Sequence, residues 1–223
     1  MRLCIGLLAA VALAGSLVAA GRALSQDTGT GAAPPTAAEP KKEVFKGADP
    51  REHDPAEMQK RWMDSMKPNQ FHEKLARHIG DWDLEVSILM DPSAPPMKEK
   101  GSSKISWLFP GRWVKEEIKS SMMGMPFEGL AILGYDNFKK KYVGSFVDSM
   151  GTSLATMEGN FGMDGKTMLL YGTMNEPMTG EQDKTVMYVV RDLSEDEFVF
   201  EIHDMTIGET GNKVMEMHYK RRK

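Results

Sequence analysis

Two carboxylates and two imidazoles, Glu201, His203, Glu216 and His218, fall in the last two apolar-alternating runs of this chain. Pairing those runs across a loop at residues 208–211 sets Glu201 opposite His218 and His203 opposite Glu216, a cluster of the hard and borderline ligands that zinc accepts. Cross-strand Glu–His pairs form salt-bridge ladders far more often than metal centres, so no metal is assigned and the four stand as a solvent-facing polar ladder. A second set breaks the apolar phase of two other runs. Glu116 shares a face with Val114 and Ile118, and Arg191 shares one with Met187 and Val189. Buried together they would pair and orient the polar end of a ligand; on outward-facing strands they would be ordinary surface charges. Asp148 and Tyr188 belong to the same set.

Other chemistries have weaker footing. Met122-Met123-Gly124-Met125 could offer thioethers to Cu(I), although methionine more commonly supplies adaptable packing. No Gly-x-Ser-x-Gly elbow is present. His72 and His78 read as exposed or helix-capping residues, because neither has a partner at the spacing of a zinc motif. No catalytic residue is assigned, and the residues leave the cofactor unknown.

The elements that must position these side chains are strands. From Trp82 the apolar period is two, with Trp82, Leu84, Val86, Ile88 and Met90 alternating with polar residues. Nine further runs follow, near 98–109, 112–121, 127–136, 140–149, 152–161, 166–175, 183–193, 197–206 and 212–221. The prolines from Pro92 to Pro177 fall in or beside the gaps, where a missing N–H breaks no ladder. Asp164-Gly165 is a type I′ hairpin signal that sets Phe161 opposite Met168 and Glu158 opposite Tyr171. Asp136-Asn137 and Gly208 to Gly211 mark two more hairpins, the last aligning Phe198, Phe200 and Ile202 with Arg221, Tyr219 and Met217 on an inner face. Ten antiparallel strands joined by short turns avoid exposed edges by closing, so the fold class is an all-β, ten-stranded up-and-down barrel. Its expected inner wall includes Val86, Ile105, Trp107, Phe146, Met157, Met187, Phe200 and Met217, which either enclose a ligand or pack as a filled core.

One or two short helices precede the barrel. Asp54-Pro55 is an N-cap with Pro at the first helical position, followed by Met58, Trp62 and Met66 on one face. Asn69 caps a second stretch carrying Phe71, Leu75 and Ile79. Further upstream, Met1-Arg2, the apolar run Leu3 to Ala20 and the small residues around Ala23-Leu24-Ser25 make residues 1–25 a secretory signal. Residues 26–54, rich in Gly, Ala, Pro, Thr and charge, form a disordered linker; residues 55–79 hold the helices and 80–223 the barrel. Cleavage removes two of the 28 basic residues, leaving 26 against 32 acidic, a net charge of −6 that disfavours nucleic acid as a partner. Cleavage also removes Cys4, so disulfides, thiolate nucleophiles and Cys-ligated metals are closed to the mature chain. The expected localisation is exported, periplasmic or secreted, with no integral membrane anchor; the oligomeric state is not specified.

Gly80-x-Trp82 opening the first strand, with a basic residue on the last, resembles the lipocalin and calycin arrangement. That resemblance implies that Trp82 sits at a closed barrel base with Arg221 packed over its ring. More narrowly, Gly111-Arg112, Phe127-x-Gly129, Gly134-Tyr135-Asp136, Asp148-Ser149-x-Gly151-Thr152, Glu176-Pro177-x-Thr179-Gly180 and Tyr219-x-Arg221 resemble a bacterial family catalogued as domain of unknown function 1579. It carries no established reaction. The expected function is an exported binding protein holding a hydrophobic or amphipathic small molecule in the barrel. Its alternatives are a haem-dependent or lipocalin-type isomerase using the same cavity, and a structural envelope protein with a filled barrel.

Overall fold

The computed structural model describes residues 53–89, 94–177, 179–206 and 212–223. The expected signal, nearly all of the linker, Cys4, Met90, Pro92 and the loop at 208–211 lie outside the described residues. Helix α1 (Pro55–Ser65) starts as its sequence implies, with Asp54 Oδ1 accepting from Ala56 N at 3.1 Å. It carries i,i+4 ion pairs Lys60–Asp64 and Glu57–Arg61 on its surface.

The strands are β1 (Gly80–Ile88), β2 (Met97–Phe109), β3 (Trp113–Met122), β4 (Met125–Asp136), β5 (Lys141–Asp148), β6 (Ala155–Phe161), β7 (Thr167–Glu176), β8 (Glu181–Asp192), β9 (Glu197–Asp204) and β10 (Asn212–Arg221). Each pairs antiparallel with the next, and β10 pairs with β1 to close the barrel. Alternation decides what fills it: Trp82, Leu84, Val86 and Ile88 of β1 point inward, as do Met168 and Leu170 of β7 and Phe198 and Ile202 of β9. Gly159 and Gly172 face neighbouring strands so closely that an added Cβ would lie 1.9 Å from the Leu169 and Thr156 carbonyl oxygens. Glycine therefore sets how tightly β6 and β7 coil.

Three details differ from the sequence reading. The β6–β7 turn keeps the expected pairs Phe161–Met168 and Glu158–Tyr171, but it is not type I′. Of its central residues only Gly165 has positive φ (+64°), and Asp164 Oδ1 instead accepts from Lys166 N and Thr167 N at 3.0 Å. In the last hairpin Phe198 pairs with Tyr219, Phe200 with Met217 and Ile202 with Met215. That is a two-residue shift, arising because β9 ends at Asp204 and β10 bulges between Lys213 and Met215; a shift of two keeps the inner face inward. Pro126 lies inside β4, one residue from its start, where it pairs with Ser121 beside the β3–β4 turn.

One end of the barrel is sealed. Helix α2 (Gln70–Glu73) runs into a 3₁₀ helix (Lys74–His78), and Leu75 is buried in the core. Asn69 caps this segment: its Oδ1 accepts from Phe71 N, while His72 Nδ1 accepts from Asn69 N at 3.1 Å. His72 is thus a capping histidine but a buried one. Tyr142 Oη donates to Phe71 O at 2.8 Å, and Phe71 stacks on Tyr135 with centroids 4.6 Å apart. Trp82, paired with Arg221 across β1 and β10, donates from Nε1 to His78 O at 2.9 Å. The Arg221 guanidinium lies 4.2 Å above the Trp82 ring and donates to Ile79 O, Arg77 O and Glu195 O. Gly80 is required beside it: φ is +146°, and a Cβ would sit 2.5 Å from Arg221 Nη1.

Candidate functional site

Above the sealed end the barrel encloses a cavity of about 230 Å³, running from Leu75 and His78 to the rim at Leu154 and Asn175. Inward alternation places Val86, Ile105, Glu116, Phe146, Asp148, Met157, Tyr188, Phe200 and Met217 on its wall. Trp107 packs against the core but does not line the cavity. Met187 and Arg191 do not line it either, because Tyr188 and Val190 take the inner phase of β8. Arg191 is exposed and lies 3.6 Å from Glu201. Of the two readings of Glu116 and Arg191, the buried pair does not form: strand phase puts the two on opposite sides of the wall and leaves Arg191 a surface charge.

Glu116 is paired differently. Its Oε1 accepts from Ser103 Oγ at 2.7 Å and from Tyr219 Oη at 2.9 Å. Ser103 is a diagonal neighbour on β2, whose Ile105 stands directly opposite Glu116. Tyr219 comes from β10 and reaches across β1 and β2 inside the barrel. Burial pushes the Glu116 carboxyl up, opposed by the two hydroxyls and by the nearby His78. Burial and the facing carboxyl push the Tyr219 phenol well above its ordinary value. Burial alone pushes Tyr188 up to about 12. Neither Ser103 nor Tyr219 was assigned a polar role by sequence; the signal was their inward phase beside Glu116, legible only once register is known.

The other predicted polar residues have structural partners. Asp148 Oδ1 accepts from Met150 N at 2.8 Å and Gly151 N at 2.7 Å, so it shapes the β5–β6 loop. His78 is neither exposed nor a cap: its Nε2 lies 2.8 Å from Asp192 Oδ1, and Arg77 approaches the other oxygen at 3.0 Å. On the outer face of the last hairpin, Glu201 pairs with Glu216 rather than with His218, and His203 with Lys213 rather than with Glu216. Each histidine contacts the glutamate two residues away, His203–Glu201 at 3.0 Å and His218–Glu216 at 2.9 Å. Lys213 bridges the two carboxylates. His203 and His218 stand about four residue rises apart, roughly 13 Å, too far to share an ion. Among the described residues no group of three or more His, Cys, Asp or Glu side chains is placed to hold a metal. The Met122–Met125 thioethers also diverge, with Met122 buried on the cavity wall and Met123 and Met125 exposed.

Sequence reasoning missed one more buried cluster. Lys184 lies 2.6 Å from Asp204 and 3.3 Å from Glu181, with Thr206 Oγ1 donating to Asp204 at 2.6 Å. The contacts lower the Asp204 carboxyl and raise the Lys184 ammonium against the opposing effect of burial. The pair joins β8 to β9 on the inner phase of both strands without lining the cavity, and reads as structural.

A family model described as "Protein of unknown function (DUF1579)" matches residues 67–221. No curated protein matches the chain. Among solved structures, the crystal structure of Rv2717c from M. tuberculosis is similar over 70% of this chain and 100% of that one, with 11% identity and a TM-score of 0.53. A redesigned beta barrel is similar over 67% of this chain and 95% of that one, with 12% identity and a TM-score of 0.37.

Proposed function

The chain belongs to the DUF1579 family of proteins of unknown function, and from that premise we propose that it is exported and holds a hydrophobic or amphipathic small molecule in its barrel. The observation that carries the reading is the cavity: about 230 Å³ bounded mainly by Met, Phe, Leu, Ile and Val side chains, with a few polar groups that include the Glu116 cluster. An engineered apolar cavity of roughly 150 Å³ accepts benzene, so by proportion this one suits about nine non-hydrogen atoms. Haem, with roughly forty, is several times larger than that, so the cavity volume favours a smaller ligand over the haem-dependent alternative.

Export is supported by the apolar run Leu3 to Ala20 behind Arg2 and the small residues ending at Ser25; N-terminal sequencing of the protein from its native cell tests it. Ligand binding is tested with methyl-labelled methionine, because Met157, Met168, Met174, Met215 and Met217 all line the cavity. Native mass spectrometry of the protein from its own host should show a bound small molecule, and n-nonane added to apo protein should shift these methyl resonances. Apo protein in every preparation together with unmoved methyls overturns the reading and favours the filled structural barrel.

A further inference from the structure

Glu116 is the acidic side chain of the cavity's middle, and both of its hydroxyl partners converge on one oxygen, Oε1. Oε2 is left with no hydrogen-bond partner among the described residues. No Lys or Arg lines the cavity among those residues, and the one lining imidazole, His78, is engaged with Asp192, so no unengaged cation there neutralises a carboxylate, whether the protein's or a ligand's. The titratable groups that share the cavity with Glu116 are Tyr219 from β10, Tyr188 from β8, Asp148 from β5 and His78 at the sealed end, the last already engaged with Asp192 and through it with Arg77. With both hydroxyls donated to Oε1, the oxygen left to carry the proton of the neutral acid is Oε2. Burial favours that same neutral form.

We propose that Glu116 donates a hydrogen bond from Oε2 into the cavity, and that the ligand is an uncharged molecule bearing one accepting oxygen, such as a ketone or ester, on an apolar body. The proposal rests on the reading of the cavity as a ligand site and specifies its chemistry. A carboxylate ligand would meet no unengaged cation. An ammonium ligand would require Glu116 ionised where burial disfavours charge. A plain alkane would leave the donor unused.

The test uses four probes of matched length, n-nonane, 2-octanone, octylamine and octanoate, with affinities for the full chain read from the methionine methyl resonances. The probes lose different amounts of hydration on entry, so the informative quantity is how each affinity changes between variants, which cancels that difference. Glu116→Gln retains a carbonyl for Ser103 and Tyr219 and presents an N–H where the acid presented O–H. It should keep 2-octanone binding within about three-fold of wild type. Glu116→Leu should weaken 2-octanone at least ten-fold, about the worth of one buried hydrogen bond, and leave n-nonane within three-fold. As pH rises through the Glu116 titration, 2-octanone binding should fall in wild type and stay level in Glu116→Gln. Octylamine binding tightest and lost in Glu116→Gln overturns the proposal, as does a 2-octanone affinity indifferent to both variants while n-nonane still binds. Failure of all four probes to bind overturns the ligand site itself. If Glu116→Leu does not fold, the Glu116→Gln affinities and the two pH profiles still decide.

Discussion

Replacing Arg221 should open the sealed end of the barrel, because one guanidinium ties the last strand, the 3₁₀ helix and the β8–β9 turn together. It donates to Ile79 O at 2.8 Å and Arg77 O at 2.9 Å, with a longer third contact to Glu195 O at 3.3 Å. Hydrogen bonds to a charged group contribute about 1.5–3 kcal/mol; these carbonyls can partly rehydrate, so the low end applies and the two short bonds give about 3 kcal/mol. The stack on Trp82 at 4.2 Å adds about 1 kcal/mol. The pair with the exposed Asp196 adds little. Arg221→Ala should therefore lose about 4 kcal/mol, read as a lower urea midpoint at unchanged slope, and about 8–16 °C in Tm for a chain of this size. Arg221→Lys keeps a charge but reaches one carbonyl, so about 2 kcal/mol should be lost. A double-mutant cycle with Gly80→Ala sharpens the test. The Ala methyl would displace Nη1, so part of its penalty should vanish once Arg221 is gone, while the strain of φ +146° remains. A loss below about 1 kcal/mol in Arg221→Ala, or full replacement by Lys, would refute the account of how the base is sealed.

Gly159→Ala and Gly172→Ala should each destabilise by about 3 kcal/mol or prevent folding, since the clash is with backbone carbonyls that cannot move aside; wild-type stability in either would show that β6 and β7 are less tightly coiled. The Tyr188 phenol should ionise at about 12, resolved by subtracting the ultraviolet titration of Tyr188→Phe from that of wild type, and a midpoint near 10 would place it in solvent. Lys139 and Lys141 hold the Glu158 carboxyl down to about 2, so carbon NMR should show it ionised until the pH falls well below its ordinary value; titration near 4.5 would mean the two lysines do not engage it. Glu116 is raised, so its contribution to stability is fully present below its ordinary value and is lost as pH climbs through the raised one. Urea midpoints of wild type should accordingly fall relative to Glu116→Gln over that interval, and parallel pH profiles would contradict the burial of this carboxyl.

The strands and their closure were legible because alternation survives local error. The type I′ expectation at Asp164-Gly165 mistook the turn, yet Phe161 still met Met168, since the actual loop is longer by a symmetric pair of residues. The two-residue shift of the last hairpin likewise kept Phe198 and Phe200 inside. Side-chain partners across that hairpin did not survive, because a shift of two exchanges every facing pair, and the Glu–His pairs became a Glu–Glu pair bridged by Lys213. The site was half legible. Glu116 was identifiable from its phase with Val114 and Ile118, but its partners lie one and three strand steps away in the closed ring, and Tyr219 stands 103 residues away in the chain. Arg191 shows the limit: its face was read correctly as that of Met187, and only the barrel tells which face is inside.

A cavity in a barrel this short of exposed edges needs a reason to persist. On the scale measured for cavities opened in protein cores, about 24 cal/mol per Å³, an empty space of this size corresponds to about 5.5 kcal/mol, comparable with the lower range of a whole domain's stability. The wall holds residues that could close it: Ala131 and Ala155 stand on either side of Phe146, each opposite it on a neighbouring strand, and both face the space. Ala155→Leu would bring three further carbons into contact, worth about 2 kcal/mol at about 0.8 kcal/mol each if a rotamer fits without displacing Phe146. If the hollow exists for a ligand, this substitution should raise the urea midpoint and abolish n-nonane binding together, a gain in stability at the expense of the site. A variant that gains stability and still binds n-nonane would separate the void from the binding, and one that loses stability would show that the Ala155 side of the wall is already packed.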